Sequence, residues 1–300
     1  MAYEFDFQRF VDQQKNPGKA AGQSGEQAQA GRFADYAFSG DLRVLRQLDR
    51  LPPVRIVAES TVRFWKTMQR NELLGHSVKV TRRQFPELYD TTAECARRLG
   101  IPMPTVYVTQ SPEINASTFG TDEEAFIVLN SALVDMFEPD ELYFVIGHEC
   151  GHLHNNHVVY HTAANSLARG LGVFVKWAAA PASLALSAWS RRGEITCDRA
   201  GLVCCRNETA AINAMLKLAV GSRKLFEKIE LEEYLRQAES LKEGFGRFQE
   251  YFRSHPYLPK RIRALQLFAQ SSYYKHLIHE RGGRPLDEID REVEAIVQVY

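Results

Sequence analysis

Pro139-Asp-Glu-Leu-Tyr-Phe-Val-Ile-Gly-His-Glu-Cys-Gly-His-Leu153 is the stretch on which the fold turns. It opens with acidic residues in a first turn, where a helix dipole favours them, and continues through Leu142, Phe144, Val145 and Ile146 at helical spacing. The segment therefore predicts a helix that carries His148 and His152 on one face, one turn apart. Two imidazoles so placed can reach a single ion at about 2.0–2.1 Å. Glu149 projects beside that ion, where it can deprotonate a water, and Gly151 admits another backbone close to the helix. HExxH by itself is modest evidence. The competing reading is two surface histidines on a capped helix, and the apolar run ahead of them weighs against it.

A catalytic zinc takes three protein ligands and keeps a fourth position open. His154, His157, His161 or an acid elsewhere could supply the third. His154 points to another face, whereas His157 and His161 share one only if the helix continues through Asn155 and Asn156. Glu194 is the better candidate. It lies in Arg191-Arg-Gly-Glu-Ile-Thr-Cys-Asp-Arg-Ala200, where Glu194 and Asp198 are four apart and share a helical face. Glu194 could bind the metal while Asp198 holds a ligating histidine through its second nitrogen. An acidic pair on a helix is normally a solvated face, but Ile195, Ala200, Leu202 and Val203 around it predict burial.

Outward from these helices the pattern is α+β. Ser39-Gly-Asp-Leu offers a cap before Leu42, Leu45 and Leu48, and Pro52-Pro53 ends that piece. Residues 54–74 read as an amphipathic helix, with Arg55, Glu59, Arg63 and Lys66 along it. Short strands are expected at 78–81, 105–109 and 125–129, with a helix over 85–99 stopped by Gly100. Beyond Arg191 everything reads as helical, over 195–206, 208–220, 231–252, 259–277 and 286–299. Residues 16–31 are rich in Gly, Gln, Ala and Ser and read as a linker behind an aromatic N-terminal tag. The expected organisation is a tag and linker over 1–31, a helical segment over 32–77, and a metal-binding domain over 78–300.

With 37 basic and 37 acidic residues, charge selects neither nucleic acid nor an anionic membrane as partner. The N-terminus lacks the basic and apolar regions of a secretory signal. Five cysteines, two of them adjacent, make a poor disulfide framework, so the cytoplasm is the expected location. Cys150 and Cys197 are expected to pack in the core. One stretch, 171–189, approaches the ~20 apolar residues of a membrane span. Lys176 within it and Pro181 at its centre favour a buried or interfacial helical hairpin, with membrane association as the alternative.

Four separated pieces then occur in order: Asn115-Ala-Ser-Thr-Phe-Gly120, His148-Glu-Cys-Gly-His152, Arg191-x-x-Glu194-x-x-x-Asp198, and His255-Pro-x-x-x-x-Arg261-Ile. Together they resemble the HtpX-like and CAAX-prenyl-protease-type zinc metallopeptidases, a gluzincin family, over roughly 78–265. The resemblance implies a predominantly helical zincin-like fold with a small mixed sheet and an HExxH helix. It implies one zinc per chain on His148, His152 and Glu194, with Glu149 as general base and acid and Asp198 in support. Asn115 and Ala116 would sit on a strand edge that pairs with a peptide substrate. His255 would donate to the tetrahedral oxyanion, and Arg261 would pair with an acid at the site. The implied activity is hydrolysis of peptide or protein substrates. The alternative is a latent or non-catalytic zinc protein that binds peptides or acts as a chaperone-like module. Membrane members of the family carry clear spans, which this sequence lacks apart from 171–189, so their substrates are not carried over.

Overall fold

The computed structural model describes residues 34–48, 75–120, 125–160, 173–237 and 257–297. The tag and linker, the helix expected over 54–74, and His161 and His255 lie outside the described residues. In chain order the helices are α1 (Ser39–Leu48), α2 (Pro86–Leu99), α3 (Ser131–Met136), α4 (Pro139–His154), α5 (Val173–Cys205), α6 (Glu208–Val220), α7 (Arg223–Phe226), α8 (Leu231–Gln237), α9 (Leu258–Ala269), α10 (Ser272–Leu277) and α11 (Leu286–Val297). The strands are β1 (Ser77–Lys79), β2 (Thr105–Thr109), β3 (Ala116–Gly120) and β4 (Ala125–Asn130).

The sheet is mixed, in the order β1-β2-β4-β3, with β2 parallel to β4 and the two outer pairings antiparallel. Alternation along β4 sends Ile127 and Leu129 into the main core, while Phe126 packs with Tyr107 and Phe119 elsewhere. β3, whose sequence lacks clear apolar alternation, forms the sheet edge opposite β1. Its register sets Thr118 opposite Ile127.

The centre of the molecule is the crossing of α4 and α5, and it depends on small residues. A Cβ on Gly147 would lie 2.5 Å from Cys204 Cβ, and one on Gly151 would lie 2.7 Å from Ala200 Cβ and 3.1 Å from Cys197 Cα. Helix α4 starts at a capping box: the Glu141 side chain accepts from the Glu138 amide at 2.7 Å, and Pro139 pre-sets the first turn. Glu141 also pairs with the buried Lys217 of α6 at 2.7 Å. The last turn closes on Asn155, whose side-chain amide donates to the Gly151 carbonyl at 2.9 Å.

Two expectations are corrected. The hairpin over 171–189 does not form; α5 runs unbroken through Pro181 to Cys205. A proline removes one i→i−4 hydrogen bond and costs about 3 kcal/mol, a local loss that a 33-residue helix can carry. The single helix expected over 259–277 is two. Ser271 accepts from the Tyr274 amide as a fresh N-cap, and Gly283, at φ 98°, lies where a Cβ would be 2.7 Å from the Ser272 nitrogen. Among the described residues no helix is long and apolar enough to cross a membrane.

Candidate metal centre

His148 and His152 come from the last turns of α4, and Glu194 and Asp198 from the middle of α5; all four are buried. The Nε2 of His148 lies 3.6 Å from Glu194 Oε2, and the Nε2 of His152 lies 3.7 Å from Glu194 Oε1. Donors at 2.0–2.1 Å around a tetrahedral ion are separated by roughly 3.4 Å, so this spacing fits one small cation. Asp198 Oδ1 sits 3.0 Å from the Nδ1 of His148. That contact fixes the tautomer that turns Nε2 towards Glu194.

Arg261 of α9 closes the group from the other side. Its guanidinium donates to Asp198 Oδ2 at 2.8 Å and Asp198 Oδ1 at 2.6 Å, and its Nη1 lies 2.9 Å from Glu194 Oε2. Burial alone would lower the Arg261 pKa; Asp198 and Glu194 more than reverse it. Burial likewise works against a charged His148, but the Asp198 contact and the nearby Glu194 outweigh it and raise its pKa. The cause is common to both. Asp198 and Glu194, both buried, face the His148 ring and the Arg261 guanidinium together. Buried carboxylates beside two imidazoles suit a dication.

Glu149 is held from the sheet. Thr118 of β3 donates its hydroxyl to Glu149 Oε2 at 2.6 Å, and the Thr118 hydroxyl oxygen also lies 3.3 Å from the Glu149 carbonyl oxygen. Thr118 lies inside the quoted 115–120 stretch, yet its sequence carries no cue to this role, because the contact joins residues 31 apart. Asn115 is exposed just ahead of β3, and its carbonyl accepts from the Asn130 amide at 3.0 Å. Ala116 opens the strand.

A thiol also comes near. Cys197 Sγ and one nitrogen each of His148 and His152 lie within 4.8 Å of one another. Burial and the neighbouring carboxylates push the Cys197 thiol well up. Cys150 is buried in the main core, as its place on α4 opposite the histidine face requires. α4 ends at His154, and Asn156 takes φ 57°, so the helix does not continue to 157. His157 is nevertheless buried beside His152, with ring centroids 5.6 Å apart.

Residues 82–268 match the model of Peptidase family M48. The plastoglobule-localized metallopeptidase 48, chloroplastic, of Arabidopsis thaliana is 32% identical over 219 residues, 69% of this chain and 64% of that protein. The chain thus spans a little under two thirds of that relative's length. The Protease HtpX homolog of Tropheryma whipplei (strain Twist) is 26% identical over 65% of this chain and 76% of that protein. The Protease HtpX homolog of Salinibacter ruber is 24% identical over 71% of the chain and 85% of that protein. The HECGH helix, the edge strand, the acidic face of α5 and Arg261 all fall inside the matched span, and the chain belongs to Peptidase family M48.

Proposed function

We propose that the chain is a zinc-dependent metalloendopeptidase, with His148, His152 and Glu194 holding one metal ion. The observation that carries this reading is the convergence of the two Nε2 atoms on the Glu194 carboxylate at 3.6 and 3.7 Å. Glu194 is preferred to Cys197 as third donor. Its two oxygens lie 3.6 and 3.7 Å from one Nε2 of each imidazole, whereas the Cys197 sulfur lies 3.6 Å from His157 Nδ1. When bound, zinc supplies Lewis acidity, which polarises a carbonyl and acidifies a water.

The remaining steps belong to the chain's own groups. Glu149 takes the proton of the attacking water and hands it to the leaving amine. Thr118 ties up Oε2, which fixes the orientation of the carboxylate during both transfers. Asp198 and Arg261 keep His148 and Glu194 in place. The edge position of β3 supports an extended peptide lying along Asn115 and Ala116, two to three residues from the Thr118 that holds Glu149. His255 retains the part of oxyanion donor in this reading. The cytoplasm remains the proposed compartment, supported by five free cysteines.

The test is metal content together with cleavage of casein or a peptide library. Glu149→Gln should keep zinc and lose hydrolysis, and His152→Ala should lose both. Undiminished cleavage by Glu149→Gln refutes the assignment.

A further inference from the structure

Beside His152 lies a buried cluster that the proposed chemistry does not use. The left-handed Asn156 folds the chain back at the end of α4, so that the His157 amide donates to the His152 carbonyl at 2.9 Å. The His157 ring, fully buried, meets the His152 ring edge to face at 5.6 Å and the Trp189 ring at 5.1 Å. Its Nδ1 lies 3.6 Å from Cys197 Sγ. Its Nε2 lies 3.0 Å from Asp41 Oδ2, a close charge contact rather than an aligned hydrogen bond. One tautomer meets both neighbours: the Cys197 thiol donates to Nδ1, and the ring N–H at Nε2 faces the carboxylate.

Asp41 comes from α1, ahead of the residues that match the family. It is fully buried and fixed in place, accepting from Trp189 Nε1 at 2.9 Å and from Thr196 Oγ1 at 2.6 Å. The two donors are residues of α5, the helix that carries Glu194. A carboxylate is costly to bury, and this one is spent on a histidine packed against the His152 ring.

We propose that Asp41 and His157 are a positioning pair for His152, through which α1 sets the metal affinity of the site. The inference rests on His152 being a metal ligand. An imidazole ligand binds well only while its ring plane keeps Nε2 aimed at the ion. His148 has Asp198 on its second nitrogen for that purpose. The His152 ring meets the His148 ring, at 5.1 Å, and the His157 ring, and the His157 ring is anchored in turn by Asp41.

The experiment uses the full chain, with zinc affinity measured by competition against a chromophoric chelator and ligand geometry read from the visible spectrum of the cobalt-loaded protein. Asp41→Asn keeps one oxygen for the Trp189 donor, sets an amide nitrogen where Oδ2 met Thr196 and His157, and removes the charge facing His157. It and His157→Gln should each weaken zinc binding about 10–100-fold and change the cobalt spectrum. Asp290→Asn is the control. Asp290 anchors the same N-terminal segment, through the Ser39 amide at 3.0 Å and Arg199 at 2.7 Å, but does not touch His157. It should lower the melting temperature and leave zinc affinity and the cobalt spectrum unchanged. Should Asp41→Asn fail to fold, Thr196→Val, which removes one of Asp41's donors, should still weaken zinc binding and alter the cobalt spectrum. Wild-type affinity and spectrum in Asp41→Asn (or in its stand-in) and in His157→Gln overturn the pair, as does an equal loss of affinity in Asp290→Asn. A wild-type chain that holds no zinc overturns the metal-site reading and this inference with it, so the two failures are distinguishable.

Discussion

Arg261→Leu is the sharpest test of the charge balance at the centre. Arg261 holds Asp198 at 2.6 and 2.8 Å and Glu194 at 2.9 Å, and all three side chains are buried. Leucine fills much of the space but leaves two carboxylates without their guanidinium. Removing one partner of a buried ion pair costs about 3–5 kcal/mol, most of it from the charge left behind. At about 2–4 °C per kcal/mol for a domain of roughly this size, the metal-free variant should melt about 6–20 °C below the metal-free wild type. Zinc should then recover part of the gap, because a dication bound at Glu194 replaces charge that the Arg261 guanidinium supplied. Ligand present at about 100 times its dissociation constant adds about 2.7 kcal/mol to any folded chain that binds it. The zinc-induced rise in the variant should exceed the rise in the wild type measured at the same zinc concentration. Thermal melts of both proteins, stripped with chelator and then reloaded, provide the assay. A metal-free Arg261→Leu that melts with the wild type would refute the reasoning, since it would mean that the two carboxylates are not charged or not desolvated.

Two further predictions probe the frame and a site remote from it. Gly151→Ala puts a methyl 2.7 Å from Ala200 Cβ and 3.1 Å from the Cys197 backbone, so α4 and α5 must part. It should cost about 1–3 kcal/mol in a urea melt and weaken zinc binding, because the ligands are divided between those two helices. Glu94 accepts from Arg97 at 2.7 and 2.6 Å and from Arg98 at 2.7 Å, and the Arg97 bond, opposed by partial burial, leads in lowering its pKa to about 2. A depressed carboxylate contributes stability that is complete above its unfolded pKa and is lost as pH falls through its folded one. Glu94→Gln should therefore be less stable than wild type by at most about 1 kcal/mol at pH 7, with the difference shrinking between about pH 4.5 and pH 2 in acid-unfolding curves.

Helical periodicity made much of this legible. Histidines four apart at 148 and 152, and acids four apart at 194 and 198, put each pair on one face, and the glycine at 151 announced a close crossing. Gly100 and the acidic first turn of α4 marked helix ends where the structure has them. Three features escaped for different physical reasons. The strand at 116–120, which only the resemblance implied, escaped periodicity because its inward Thr118 serves a carboxylate rather than the core. The break at Ser271 depends on a cap and on a bridge to Arg284, which no periodicity records. Pro181 reads as a helix breaker by its local chemistry, yet α5 continues through it.

The contrast between His148 and His152 follows from where α5 lies. Successive turns of α5 place Glu194 and Asp198 against the same two turns of α4, so one carboxylate can face both Nε2 atoms while the other reaches only the Nδ1 of His148. The residue between them in that face is Cys197, whose backbone fills the notch left by Gly151 and whose sulfur rests on His157. A carboxylate at 197 would add a further buried acid beside Glu194 and Asp198. A bulky residue there would press on the His157 ring, whose Cε1 and Nδ1 lie within 3.4 Å of where a Cβ on Gly193 would stand. A small neutral thiol meets both constraints. It leaves the ring of His157 free to rest against His152, and leaves Asp41, from a segment outside the matched domain, to hold that ring from beyond.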